Sequence, residues 1–339
     1  MQPLDTRFIA SQDKFISGCG IEIVWGIEMA STRRVEHRFG GSWTEIKLNA
    51  VTDYLSFYTQ ALKSVPSPTD PFETWYVDAF AGTGDRTVEK YASELFAEQP
   101  GALDRIRLEG SARRAIGVHP PFRHLVFIEK DRSRFAALEG LKAEFPDRDI
   151  RCVPGDANDE LRKIFTEGPW SQHGRKGLQR AVVFLDPYGM SVRWDTLRFL
   201  AETKRADVWY LFPLHAALRQ LSHDHGALDD GKRAALSEVF GTPEWEQHFY
   251  EHQPAATTLF DFAEAAALSR NADPNKVERF AAERLRTAFS FVSDPIPILT
   301  SRKLRQFSLF LLSGNPTERA IALIKKGVAA QIKKYGARR

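Results

Sequence analysis

Short uninterrupted apolar runs alternate with stretches of helical spacing through the middle of the chain. The runs are Trp75-Tyr76-Val77, His124–Glu129 (HLVFIE), Ala181–Asp186 (AVVFLD) and Ala206–Phe212 (ADVWYLF), with a shorter one at Ile150–Val153. Runs this short and this apolar predict strands buried on both faces. Between them, Ser133–Phe145, Asn158–Thr166 and Trp194–Lys204 place apolar residues on one helical face. The alternation predicts βαβ units and an α/β, Rossmann-like, mainly parallel sheet covered on both sides.

The flanks read differently. Residues 1–40 carry no sustained periodicity. Trp43–Lys63 predicts a helix, capped by Ser42 or Thr44, with Leu48, Val51, Leu55, Tyr58 and Leu62 at helical spacing; three prolines in SVPSPTDP then break the chain. From about His215 to Phe289 the composition becomes Ala-rich, polar and helical, which predicts a helical insertion. Pro297–Thr300 and Phe307–Ser313 predict an antiparallel hairpin at the sheet edge. A last helix is expected to open with Asn315 as cap and Pro316 in its first position, to bury Ile321, Ile324, Val328, Ile332 and Tyr335, and to stop at Gly336. The expected divisions are an N-terminal segment with a cap helix (1–70), a core (71–214), the insertion (215–289) and a segment completing the core (290–339).

Composition narrows the class. With 339 residues, 43% hydrophobic and 27% charged, the chain suits a soluble globular protein. No apolar run approaches the roughly 20 residues of a membrane span. The first residues lack the layout of an export signal. Cys19 and Cys152 form neither a disulfide framework nor a metal-ligand spacing. A cytoplasmic protein with no membrane contact is expected. The net charge of +3 hides an asymmetry, because from Arg302 onward ten Lys/Arg face one acid, Glu318. Such a tail suits a nucleic-acid partner; the plainer reading is a solvated helix face.

The candidate chemistry is a series of acids at strand ends. Asp78 precedes Phe80-Ala81-Gly82-Thr83-Gly84, Glu129 ends HLVFI, Asp156 follows CVPG, and Asp186 opens Asp186-Pro187-Tyr188-Gly189. In an open α/β sheet, ligands bind outside the carboxyl ends of the strands. Four acids there suit S-adenosylmethionine: Gly82 and Gly84 for close backbone approach and N–H groups at a helix start, Glu129 for the ribose hydroxyls, Asp156 for the adenine amino group. Asp78 and Phe80 belong to the same turn. Lys47, ahead of the first strand, is a candidate partner for the cofactor carboxylate, or simply an exposed lysine at a helix start. Each acid taken singly is also an ordinary cap or turn former. A nicotinamide dinucleotide site ranks lower, since FAGTGD lacks the third glycine of that fingerprint.

The DPYG tetrapeptide resembles the [DNS]-P-P-[YFW] motif of amino-group methyltransferases, and the D-P-F-G form of some RNA guanine-N2 methyltransferases. Asp186 and the Pro187 carbonyl would each accept one hydrogen of an exocyclic amine, and Tyr188 would stack on a base. Asp-Pro-x-Gly is also a common turn. Several phrases resemble the three-Cys-motif partner (TcmP) family: HRFGGSWTEIKL (37–48), YVDAFAGTGD (76–85), EGSARRAI (109–116), FIEKD (127–131), FLDPYG (184–189), DVWYLFP (207–213) and FGTPEWEQHFY (240–250). The resemblance implies a class I methyltransferase fold and a three-cysteine partner protein akin to radical S-adenosylmethionine enzymes. It leaves residues 1–36 unmatched. The expected activity is S-adenosylmethionine-dependent N-methylation of an exocyclic amino group, above all of a nucleobase in DNA or RNA. The alternatives are a cofactor-binding accessory of the three-cysteine protein without transfer of its own, and methylation of a small-molecule or protein amine.

Overall fold

Strands that must be buried on both faces need apolar side chains in both directions, and the central runs supply them. In the computed structural model, Tyr76, Val182, Phe184 and Trp209 point into one core layer, while their neighbours Val77, Val183 and Val208 point into the other. The residues described are 42–69, 71–91, 103–171, 178–252, 268–300 and 303–336. Residues 1–36, Cys19, and Arg302, Arg338 and Arg339 of the basic tail lie outside them.

Helix α1 spans Ser42–Leu62 and is followed by strand β1 (Glu73–Asp78). A hairpin, β2 (Asp85–Tyr91) and β3 (Leu103–Glu109), then leads to the short helix α2 (Ser111–Ile116). The chain continues as β4 (His124–Glu129), α3 (Arg132–Ala143), β5 (Ile150–Pro154), α4 (Ala157–Thr166), β6 (Gln179–Leu185), α5 (Trp194–Thr203) and β7 (Ala206–Phe212). The helical insertion holds α6 (Leu214–Gln220), α7 (Asp230–Phe240), α8 (Trp245–Phe249) and α9 (Pro274–Ala288), with a small pair, β8 (Tyr250–His252) and β9 (Leu268–Arg270), between the last two. Strands β10 (Phe291–Val292), β11 (Ile296–Leu299) and β12 (Arg305–Ser313) and helix α10 (Glu318–Gln331) complete the fold.

The main sheet runs β10-β12-β7-β6-β1-β4-β5, with β11 also on β12. Strands β5, β4, β1, β6 and β7 are parallel, and β12 is antiparallel to β7. This is a Rossmann-like, mainly parallel sheet with an antiparallel strand at one side. β1 lies at the centre, flanked by β4 on one side and β6 on the other, so the connection order reverses there and opens a crevice at the carboxyl ends. One face carries α1, α2, α3 and α10, and the other carries α4, α5 and the insertion, whose Leu236, Phe240, Trp245 and Phe280 join the core against β7. Among the described residues no helix is long and apolar enough to cross a membrane.

Two expectations need correction. The glycine turn after β1 does not open a helix: the chain leaves at Gly84 into the β2–β3 hairpin and returns at Gly110. A Cβ on Gly110 would lie 2.5 Å from the Gly84 carbonyl oxygen, so position 110 must lack a side chain for the two ends of this excursion to meet. The last helix begins at Glu318, because Asn315 accepts from the Thr317 N–H (3.1 Å) and so shapes the turn before the helix rather than capping it.

Candidate functional site

The carboxyl ends of β1, β4, β5 and β6 carry Asp78, Glu129, Asp156 and Asp186, within one residue of each strand end except at Asp156, which follows Gly155. Parallel pairing of adjacent strands in register brings these ends to one edge of the sheet.

Asp78 is fully buried. Its Oδ1 accepts from the Phe80 N–H at 3.2 Å, and Ser111, the first residue of α2, donates to it as well. Burial pushes its carboxyl up to about 7; the Ser111 and Phe80 donors pull it down, nearby Asp186 raises it, and Lys47 lowers it. Phe80 is half-buried, its ring against the core. Lys47, on the first turns of α1 and itself buried, donates to Asp186 Oδ2. The sequence placed Lys47 at the cofactor carboxylate and Asp186 at the acceptor amine; the folded chain joins the two side chains directly.

Glu129 is 4% exposed and crowded with donors. Oε2 accepts from the Gly82 N–H at 3.0 Å; Oε1 accepts from the Asp131 N–H and from Arg134 Nη2, both at 2.8 Å. Arg134 also lies over the Tyr188 ring, 5.2 Å from its centroid. Its Nε is buried with no hydrogen-bond partner. The guanidinium therefore links the acid at the end of β4 to the aromatic ring of the DPYG turn. Sequence reasoning passed over Arg134; the available signal was an arginine in the first turn of the helix that Asp131 caps, on the side facing the crevice.

Asp156 caps α4. Its Oδ1 accepts from the Asn158 N–H (3.1 Å) and Nδ2 (3.0 Å), and Lys130 approaches Oδ2 at 3.4 Å. Burial pushes this carboxyl up, but the Asn158 and Lys130 donors outweigh it and hold it below the ordinary range. Asn158 in turn accepts from the Arg193 N–H and Thr196 hydroxyl and donates to the Ser191 carbonyl, fixing the loop beyond the DPYG turn. In that turn Pro187 is buried, Gly189 takes a positive φ of 62°, and Tyr188 is 50% exposed. A half-exposed tyrosine beside buried carboxylates is what a stacking surface requires.

The two glycines of the first turn differ in kind. Gly82 (φ +63°) has open space where a Cβ would stand, whereas Gly84 (φ +77°) is packed, its Cβ position 2.4 Å from Leu141 Cδ2. Of the two, only Gly82 has open space beside it. The donor set suits S-adenosylmethionine on these observations: Glu129 and Asp156 offer acceptors, and Gly82 offers room. A carboxylate has about four lone-pair sites, and Glu129 already accepts three bonds, so binding both ribose hydroxyls requires Arg134 to yield its place.

No family model matches the chain, and no curated protein matches it. Solved structures with a related chain path include protein LPL1258 from Legionella pneumophila (12% identity, 88% of this chain and 94% of that one, TM-score 0.44). Another is spermidine synthase from Thermotoga maritima (10%, 87% and 66%, TM-score 0.39). A third is an S-adenosylmethionine-dependent methyltransferase from Clostridium acetobutylicum (10%, 78% and 91%, TM-score 0.34).

Proposed function

We propose that this protein is an S-adenosylmethionine-dependent N-methyltransferase whose acceptor is the exocyclic amino group of a nucleobase. The observation that carries the reading is the Lys47–Asp186 pair at the head of the DPYG turn, beside half-exposed Tyr188 and buried Asp78. When bound, S-adenosylmethionine supplies a sulfonium-activated methyl group. Glu129 holds the ribose, Asp156 the adenine amino group, and the Gly82 turn the methionine end.

The residues of this chain orient the acceptor. Lys47 holds one carboxylate oxygen of Asp186, which fixes the rotamer and leaves the other oxygen to accept from the amine. The Pro187 carbonyl accepts the second amine hydrogen, and the nitrogen lone pair is thereby aimed along one line. The nitrogen becomes acidic as its new bond forms, and Asp186 is the base assigned to take its proton. Tyr188 stacks on the flat base, with Arg134 against the ring. The basic tail of α10 supports a nucleic-acid acceptor. The likeness to three-Cys-motif partner proteins rests on sequence phrases alone, and a three-cysteine partner is carried over from it.

Labelled S-adenosylmethionine, total nucleic acid and nucleoside mass spectrometry, with and without a three-cysteine protein, test the reading. A methylated amino group in wild type is expected, and Asp186→Ala should lose at least about a hundredfold in rate while keeping its cofactor affinity. Transfer only to small-molecule or protein amines overturns the acceptor. Cofactor binding without transfer to any acceptor leaves an accessory protein.

A further inference from the structure

A second cavity opens at the opposite edge of the sheet. It lies between the latter half of α1, the first residues of β6 and β7, and the start of α10, and encloses about 250 Å3. Arg180, near the start of β6, stands about 20 Å from Asp186 at roughly 3.3 Å per residue. The cavity therefore shares no side chain with the crevice.

Its lining is divided by chemistry. Tyr54, Phe57, Tyr58 and Phe72 supply an aromatic floor. Arg180, Lys204, Arg205 and Arg319 supply cations, against the single carboxylate of Asp207. That carboxylate is engaged by the protein itself, accepting from the Tyr54 hydroxyl at 2.9 Å and from Ser313. The Arg180 guanidinium lies 4.1 Å from the centroid of Phe72 and donates to the Gln179 carbonyl at 2.7 Å. Burial holds Arg180 below its ordinary pKa range; nearby Tyr58 opposes this, the like charge of Arg205 adds to it, and Asp207 opposes it.

Lys204 and Arg319 are exposed and Arg180 and Arg205 half-buried, so the cations ring an aromatic hole and favour an anion as its occupant. Size narrows the anion. An apolar cavity of about 150 Å3 holds benzene, and sites for drug-sized ligands begin near roughly 300 Å3, so this one suits a single ring with one acidic substituent. We propose that the cavity binds a single-ring aromatic anion, an aryl carboxylate or aryl phosphate. The ring lies among Tyr54, Phe57 and Phe72, and the anion faces Arg180, Arg205 and Arg319. Both α1 and β6 run from this cavity to the crevice, the one carrying Lys47 and the other leading into Asp186, so the ligand binds the elements that position the proposed acceptor site.

Calorimetric titration of the full chain tests this, with phenyl phosphate and phenylacetate as probes and benzyl alcohol and inorganic phosphate as controls. At least one aryl anion should bind about tenfold more tightly than both controls, and the stronger of the two identifies the acid. Arg319→Glu, on an exposed helix position, should weaken it about tenfold or more, as expected when a charge-assisted hydrogen bond is removed, without lowering the melting temperature. Ala320→Trp at the mouth should block it. Four results overturn the proposal: no binding of either anion, equal binding of benzyl alcohol or inorganic phosphate, undiminished binding in both variants, or displacement of the probe by S-adenosylhomocysteine. The last would put the probe in the crevice. Since binding alone is measured, these outcomes stand apart from whether methyl transfer occurs.

Discussion

Lys47 and Asp186, 139 positions apart, form an ion pair that ties the first turns of α1 to the turn after β6. The same ammonium lowers the pKa of Asp78, so one lysine offsets two carboxylates where solvent is largely excluded. Lys47→Met would leave those carboxylates facing each other, and Asp78 would climb above its present value of about 7. Breaking such a pair from one side costs about 3–5 kcal/mol. Methyl transfer should fall about a hundredfold or more, with cofactor affinity within about threefold of wild type, in single-turnover assays beside calorimetry. A large loss of cofactor affinity would return Lys47 to the methionine carboxylate.

Glu129 and Arg134 set up a competition for the same lone pairs. Glu129→Ala should weaken S-adenosylmethionine binding by about 2–4 kcal/mol, the worth of two hydrogen bonds to a charged acceptor. Arg134→Ala should act in the opposite direction, leaving affinity unchanged or tighter, because the Oε1 site it occupies becomes available to the ribose. Calorimetry on both variants checks the pair of signs. Equal losses in both would make Arg134 a ligand of the cofactor.

The first glycine turn separates packing from binding. Gly84→Ala forces a Cβ against Leu141 at a positive φ. Left-handed backbone alone costs about 1–2 kcal/mol for a residue with a Cβ, and the overlap adds to it. Gly82→Ala carries the backbone cost without the overlap. Thermal melts should show Gly84→Ala clearly the less stable of the two. Calorimetry should show Gly82→Val losing cofactor affinity by about tenfold or more, as a branched side chain fills the space beside the turn.

The parts of the fold legible in the sequence are those whose signal is local. HLVFIE, AVVFLD and ADVWYLF contain the unbroken apolar stretches LVFI, AVVFL and VWYLF, which a doubly covered strand requires, and all three form central strands. The hairpin of β2 and β3 escaped notice because DRTVEKY and LDRIRLE intersperse charges and pair only with each other, off the main sheet. The four acids were legible as strand-end residues, but their partners were not. Arg134 meets Glu129 because a capped helix turns it back over the crevice, and Lys47 meets Asp186 because α1 packs against the sheet. The first pairing spans five residues and depends on how the turn after β4 aims α3, whereas the second spans 139 and is set by tertiary packing.

Asp207 makes stability fall with rising pH. Burial lifts its carboxyl from the ordinary 3.8 to about 6, against the Ser313 and Tyr54 hydrogen bonds. The native state then binds the proton more tightly than the unfolded chain, so this contribution is complete below 3.8 and is lost as pH rises through about 6. Asp78 acts with the same sign up to about 7. Thermal melts across this window should show Asp207→Asn, which still accepts from Tyr54, gaining on wild type as pH rises. A constant difference between the two would mean that Asp207 does not titrate there.

The tail of α10 decides the acceptor class. Lys325, Lys326 and Lys333 are exposed, and Arg319, Lys326 and Lys333 recur every seven residues, which lines them along one side of the helix. At the end of this stripe Lys334 and the Tyr335 hydroxyl both donate to Asp53 of α1 at 2.7 Å. Asp53 is six residues from Lys47, about 9 Å along the helix, so the cations lead toward the crevice. Reversing Lys325, Lys326 and Lys333 to Glu should weaken binding to any nucleic-acid sequence about equally. Each phosphate no longer neutralised should reduce the slope of log affinity against log salt by about 0.9 on duplex DNA or about 0.7 on single strands. Lys334 is left intact in this variant, because reversing it would set a carboxylate against Asp53 and loosen the junction with α1, so that weaker binding could arise from damaged structure instead of missing charge. Electrophoretic or anisotropy titrations at several salt concentrations give both numbers. If affinity and slope are unaltered while the melting temperature is unchanged, the stripe is a solvated helix face. The acceptor amine is then to be sought on a small molecule or a protein.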